Sequence, residues 1–79
     1  MTREDVANVN PEALIADGLD AALIGVTDTG RAVYSIDKII EILMTRDGMD
    51  DEEADEWFGF NIAGAHFGEH DPVYVNLAE

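Results

Sequence analysis

The chain has 79 residues and no cysteine, and 18 acidic residues against four basic ones give it a net charge of −14. This length suits one small domain, and the absence of cysteine excludes a disulfide framework and a thiolate metal site. The charge repels nucleic-acid backbones and anionic lipid, and no apolar run is long enough to span a bilayer, so direct nucleic-acid binding and a membrane role are excluded.

The acidity itself has three interpretations. It can raise solubility, adapt the protein to molar salt, or imitate the phosphate array of DNA. Lys38 is the only lysine. An acid excess with so little lysine fits a protein that works in high salt, because screening reduces the repulsion between carboxylates. The composition leaves all three interpretations open.

The N-terminal part of the chain predicts little regular structure. Residues 1–9 are polar without a clear period, so we expect a flexible N-terminus followed by a single α+β domain over residues 10–79. Asn10 and Pro11 are typical of a helix start. The stop signal Asp17-Gly18 follows soon after, so this is only a short helical turn.

An apolar run and a second short segment on either side of turn residues predict a β-hairpin. The apolar run is residues 21–26, the second segment is Arg31-Ala32-Val33-Tyr34, and Asp28-Thr29-Gly30 lies between them. Gly30 can adopt a positive φ without strain, as many tight turns require. We therefore expect two antiparallel strands here.

Two helices are predicted after the hairpin. The first begins at the cap Ser35 and ends at Gly48, and its apolar residues recur at helical spacing on one face. The second opens with Asp50 and Glu53, which have the spacing of a capping box. Its apolar stripe consists of Ala54, Trp57, Phe58, Ile62 and Ala65.

The end of the chain predicts one more strand. Gly68 and Pro72 end the second helix, and the residues from Val73 to Leu77 alternate in polarity. The predicted fold is α+β, with a short N-terminal helical turn followed by β-β-α-α-β. A small antiparallel three-stranded sheet packs on two helices, which satisfies the rule that each layer buries its apolar face.

One motif suggests a metal. His66, Glu69 and His70 match the H-x-x-E-H pattern of inverted zinc proteases. Gly68 lies inside the motif and Pro72 follows it, and a catalytic zinc needs three protein ligands. We therefore predict no metal site and no cofactor, with at most an adventitious ion on these histidines.

Aromatic residues in the second helix are the candidate contacts. Trp57, Phe58, Phe60 and Phe67 cannot all face a core served by one stripe, so Phe60 and Phe67 are expected to be exposed at an interface. Asn61 falls on the apolar stripe and is expected to be a buried polar group that pins a backbone segment.

Between positions 16 and 75, a series of short blocks of residues stands in a characteristic order. They are Ala16-Asp17-Gly18, Ile24-Gly25, Tyr34, Asp37, Ile40 to Met44, Arg46 to Met49, Glu53-Ala54, Glu56-Trp57-Phe58, Phe60-Asn61, Gly64-Ala65, Gly68-Glu69 and Pro72-Val73. This order resembles a family of small uncharacterised proteins of tailed-phage genomes and prophages. Together with the acidity, the resemblance implies that the protein comes from a virus or prophage of a salt-loving microbe. The protein is then expected in the cytoplasm of the host cell or in the virion. It carries no activity over to this chain.

The leading hypothesis is a non-enzymatic accessory protein of a phage-like genome that acts by protein–protein contact and self-associates. One alternative is a DNA mimic that inhibits a host nuclease or defence protein. Its acidic face would comprise Asp47, Asp50, Asp51, Glu52, Asp55 and Glu56. The second alternative is a minor virion component. An enzyme would require a site built between subunits.

Overall fold

The computed structural model describes residues 1–64 and 68–76, which form an α+β fold. Within these two stretches, no helix combines the length and the apolar character that crossing a bilayer requires. The elements in chain order are α1 (Arg3–Val9), a 3₁₀ turn (Asp20–Ala22), β1 (Leu23–Val26), β2 (Ala32–Ser35), α2 (Ile36–Asp47), α3 (Asp51–Phe58), a π-helical turn (Gly59–Ala63) and β3 (Val73–Val75).

The segment predicted to be a flexible N-terminus contains α1 instead. Thr2 and Asp5 form a capping box, in which the Thr2 N–H donates to the Asp5 carboxylate at 2.8 Å. The hydrogen bonds from Thr2 also hold the pKa of Asp5 below its usual value. Val6 is the one buried residue of α1. A single buried residue makes no periodic pattern, so the apolar period from which helices are predicted is absent here.

Asn10 ends α1 and then opens only a single hydrogen-bonded turn, in which the Ala13 N–H donates to the Asn10 carbonyl at 3.1 Å, so the predicted helix start does not extend into a helix. Its Nδ2 donates to the Gly30 carbonyl at 3.1 Å, and its Oδ1 accepts from the Glu12 N–H at 3.1 Å. Gly30 has a φ of +83°, as predicted, and a Cβ added there would lie 2.6 Å from the Asn10 Cβ. The Asn10 amide therefore caps its own turn through the oxygen and holds the hairpin turn through the nitrogen.

The predicted hairpin is confirmed. β1 and β2 pair antiparallel, with Leu23 opposite Tyr34 and Val26 opposite Ala32. The register shifts between Leu23 and Gly25, which indicates a bulge in β1.

The two predicted helices are confirmed at their capped ends. The Ser35 Oγ accepts from the Lys38 N–H at the start of α2, and Gly48 ends α2 in the left-handed conformation. Asp50 and Glu53 form the capping box that opens α3. These signals involve residues within a few positions of each other, so they can be recognised in the sequence alone.

The sheet is mixed, so the prediction of an all-antiparallel sheet is wrong. The strand order is β1-β2-β3, and β3 pairs parallel with β2, with Tyr34 opposite Tyr74. The chain passes from β2 directly into α2 and returns after α3, and a long crossover of this kind lets the next strand run parallel to the first. Strand direction is set by this connection, and the alternation of residues 73–77 carries no information about it.

Tyr34 lies at the centre of the core. Its ring is fully buried, with a centroid 5.9 Å from that of Tyr74, and Tyr74 meets Phe58 of α3 edge to face at 5.4 Å. The Ala16 N–H donates to the Tyr34 hydroxyl at 3.0 Å. Burial raises the pKa of Tyr34 above its usual value. One side chain thus joins β2, β3 and the loop that precedes β1.

We expect Tyr34→Phe to lower the free energy of unfolding by about 1–2 kcal/mol, because the Ala16 N–H loses its acceptor. The matched control is Tyr74→Phe, since the Tyr74 hydroxyl has no hydrogen bond with the described part of the chain. It should change the free energy by less than about 0.5 kcal/mol. Urea unfolding followed by circular dichroism measures both, and equal losses would contradict the assigned hydrogen bond.

Val6→Ala should lower the free energy of unfolding by about 2 kcal/mol, because it removes two fully buried methyl groups. Val9, at the end of the same helix, is 55% exposed. Val9→Ala should cost less than about 0.5 kcal/mol. The same urea experiment applies, and two small, similar effects would show that α1 is not docked in solution.

Candidate functional site

The end of α3 turns aromatic side chains outward. After Phe58 the helix widens into the π-helical turn Gly59–Ala63. Phe58 and Ile62 point into the core, whereas Trp57 is 40% exposed and Phe60 is 84% exposed. Phe60 therefore has the exposure predicted for an interface residue. A π-helical turn inserted in a helix often marks a functional position, because it changes the direction in which the following side chains point.

A cleft of about 510 Å³ opens beside Trp57, and we refer to it as the Trp57 cleft. Its volume is in the range of small-ligand and side-chain pockets. Apolar groups form most of it, and Arg46, Asp17 and Asn61 supply its polar atoms. The apolar lining comprises Leu14, Ile15, Ala16, Leu19, Trp57, Ile62, Pro72 and Tyr74.

A smaller hollow of about 270 Å³ adjoins the Trp57 cleft, and Trp57 and Asn61 line both depressions. Phe60 and Met49 lie in this hollow together with Glu53 and Glu56. We call the exposed side chains of Leu14, Trp57 and Phe60 the aromatic surface. It brings the loop before β1 next to the end of α3.

Arg46 fixes one wall of the Trp57 cleft. Its Nη1 donates to the Gly18 carbonyl at 2.7 Å, and its Nε and Nη2 donate to the Asp47 carboxylate at 3.0 Å. These hydrogen bonds hold the pKa of Asp47 below its usual value. Gly18 has a φ of +83°, and an added Cβ there would lie 3.2 Å from the Arg46 Nη1. The loop can accept the guanidinium because glycine occupies this position.

Arg3 holds the same loop from the other side. Its Nη2 lies 3.0 Å from the Asp17 carboxylate, and its Nε donates to the Asp20 carboxylate at 2.8 Å. These groups are exposed, so each ion pair adds little stability by itself. Together with Arg46 and Tyr34 they define the position of the loop that carries Leu14.

Two of the predicted site residues lie elsewhere than expected. Phe58 is only 7% exposed, so it belongs to the core and not to an interface. Asn61 is exposed, so the prediction of a buried polar group is wrong. Its Nδ2 donates to the Trp57 carbonyl at 3.2 Å within its own helix. The π-helical turn shifts the helical phase, and a strict α-helical wheel therefore assigns Asn61 to the wrong face.

The predicted histidine pair can be located only in part. His66, like the interface candidate Phe67, lies outside the described residues. His70 lies before β3, where its Nδ1 is 3.2 Å from the Asn10 Nδ2 and its Nε2 is 3.3 Å from the Glu12 carboxylate. Through these contacts His70 connects the loop before β3 to the residues that follow α1.

The six residues predicted as an acidic face are all exposed, but they do not form one uniform surface. Asp47 pairs with Arg46 and Asp50 caps α3. Asp51 and Asp55 border a groove between α2 and α3, whereas Glu56 borders the hollow beside Phe60. Glu52 stands in the first turn of α3. The set is thus divided: Asp50 caps a helix, Asp47 is ion-paired, and Asp51, Asp55 and Glu56 line two separate depressions.

The sequence did not indicate that Leu14, Arg46 and Tyr74 share a cleft with Trp57. These residues come from a loop, the end of α2 and β3, and no local pattern connects them. The blocks of residues that carry the family resemblance include Arg46, but Leu14 and Tyr74 are not among them. Tyr74 reaches the cleft because β3 pairs with β2, a long-range contact that no local pattern reveals.

Arg46→Ala should loosen the loop that forms the cleft wall, because the Gly18 carbonyl loses its donor. We expect the Leu19 amide, which donates to the Ala16 carbonyl at 3.2 Å, to exchange its hydrogen about three- to tenfold faster. Lys38→Ala removes an equal charge from the exposed face of α2 and is the control. Hydrogen exchange by NMR measures both, and unchanged exchange in Arg46→Ala would contradict a clamping role.

Within the described stretches, no three His, Asp or Glu side chains are grouped so that they could hold a metal ion. Comparisons with protein-family models, with curated proteins and with solved structures gave no match to this chain.

Proposed function

We propose that this protein is a non-enzymatic accessory protein of a phage-like genome that acts by protein–protein contact and self-associates through the aromatic surface. The genomic setting rests on the family resemblance of residues 16–75. The observation that carries the contact surface is Phe60, whose side chain is 84% exposed beside the Trp57 cleft.

The apolar character of this surface supports the proposal. Burying a phenylalanine side chain contributes about 1.5–3 kcal/mol, and a single domain that leaves one almost fully exposed forgoes that stabilisation. Aromatic residues are also enriched where proteins bind each other. Leu14 and Trp57 extend the exposed apolar area next to Phe60, so the surface is contiguous and not a single isolated side chain.

The local charge favours a second copy of this chain as the occupant. The net charge of −14 makes two copies repel each other in most orientations. The Trp57 cleft is lined by one acid, Asp17, and one base, Arg46, so it is locally neutral. The adjoining hollow adds Glu53 and Glu56, so two copies that meet there still bring some carboxylates together. In a two-fold arrangement, Phe60 of each copy enters the Trp57 cleft of the other.

Screening should strengthen this association. The Debye length falls from about 10 Å at 0.1 M salt to about 3 Å at 1 M, which weakens the repulsion between the acidic surfaces of two copies. Apolar contacts at the aromatic surface are not weakened by the same ions. Dimerisation should therefore increase with potassium chloride concentration.

Phe60→Ala should weaken the dimer at least about tenfold, which corresponds to about 1.4 kcal/mol or more. Multi-angle light scattering from 0.1 to 3 M potassium chloride, over a range of protein concentrations, measures the change. Val9→Ala is the control, because it shortens an exposed apolar residue away from the aromatic surface. Circular dichroism should show the same folded spectrum for both variants.

Two outcomes would overturn the proposal. One is a wild-type protein that stays monomeric at every salt concentration, and the other is a Phe60→Ala variant that dimerises as the wild type does. Trp57→Ala gives a second test of the same surface, since it removes the residue that lines both the cleft and the hollow.

A further inference from the structure

A second depression lies between α2 and α3, and we call it the α2–α3 groove. It has a volume of about 600 Å³ and shares no lining residue with the Trp57 cleft. Its floor is apolar and its sides are acidic. The apolar lining residues, which we call the floor, are Ile36, Ile40, Met44 and Phe58. The acids are Asp37 and Glu41 of α2 with Asp51 and Asp55 of α3, and Thr45 and Asn76 complete the lining.

The acids stand in two rows. Asp37 and Glu41 are four residues apart on α2, and Asp51 and Asp55 are four residues apart on α3, so each pair lies on one face of its helix. No lysine or arginine lines the groove. None of the four carboxylates makes an ion pair or a side-chain hydrogen bond with the described part of the chain. An apolar floor is thus flanked on both sides by unneutralised negative charge.

We propose that the α2–α3 groove binds a basic amphipathic segment of another protein. The apolar residues of that segment lie on the groove floor, and its lysines or arginines meet the two rows of carboxylates. A helix with an apolar stripe and basic flanks has this distribution of groups. Charge complementarity selects this occupant. An acidic segment would be repelled by the four carboxylates, and a neutral segment would leave them without a positively charged partner.

A second copy of this chain does not fit the groove. Its four basic residues, Arg3, Arg31, Lys38 and Arg46, are scattered, and no two are closer than seven positions in sequence. The three arginines are already hydrogen-bonded, to Asp20, to the Asp71 carbonyl and to Asp47. The occupant is therefore a different protein, and its binding does not require self-association at the aromatic surface.

The probe is a synthetic helical peptide with leucines at i, i+3, i+4 and i+7 and lysines on both flanks of that stripe. Its partner probe has the same composition in scrambled order, which keeps the charge and removes the apolar face. Titration calorimetry at 0.15 M potassium chloride, where the Debye length is about 8 Å, should show the ordered peptide binding at least about tenfold tighter than the scrambled one.

Two double variants test the two walls separately. Asp37→Asn with Glu41→Gln, and Asp51→Asn with Asp55→Asn, should each weaken binding of the ordered peptide about tenfold. Glu4→Gln with Asp28→Asn removes the same charge from exposed positions outside the groove and should leave binding within about twofold. Because one double variant lies on each helix, loss of α3 stability alone cannot imitate the result.

The proposal is overturned if neither peptide binds. It is also overturned if the ordered and scrambled peptides bind equally, or if all three double variants weaken binding equally, because the net charge would then account for the attraction. Phe60→Ala should bind the ordered peptide as the wild type does. If it does not, the peptide occupies the aromatic surface and the assignment to the α2–α3 groove fails.

Discussion

Tyr34 is completely buried, and a buried tyrosine needs both apolar neighbours for its ring and a hydrogen-bond partner for its hydroxyl. The chain supplies the first with Tyr74 and Phe58 and the second with the Ala16 N–H. Satisfying all of these at once requires β3 beside β2, α3 over the sheet and the loop before β1 folded back onto the strand. The walls of the Trp57 cleft are consequences of the same requirement.

The parts of the fold that could be predicted depend on residues close together in sequence. The Gly30 turn, the Ser35 cap and the Asp50–Glu53 capping box each span a few positions, and each is present in the structure. The direction of β3 depends on a long crossover, so alternation in the strand could not reveal it. A regular α-helical period places Asn61 on the core side, but residues Gly59–Ala63 form a π-helical turn with more residues per turn. The sequence pattern therefore gives the wrong face for Asn61.

The two proposed surfaces differ in what salt does to them. The Trp57 cleft is mainly apolar and the adjoining hollow carries Glu53 and Glu56, so ions weaken the repulsion that opposes contact between two copies there. The α2–α3 groove is lined by carboxylates without basic neighbours, so ions weaken the attraction that favours a basic partner. A protein with both would exchange one kind of contact for the other as ionic strength changes. The negative charge of the protein thus opposes association at the aromatic surface and favours it at the α2–α3 groove.

The position of β2 in the middle of the sheet leaves β1 and β3 each with one side that has no strand partner among the described residues. Unpaired strand edges can template the addition of a further strand from another molecule. Here the strands are three or four residues long and β1 is bulged, so each edge offers few aligned groups. Mutual repulsion adds a second barrier while the carboxylates are ionised. Acid conditions that protonate the carboxylates remove that barrier and would leave only the shortness and the bulge to oppose amyloid-like stacking.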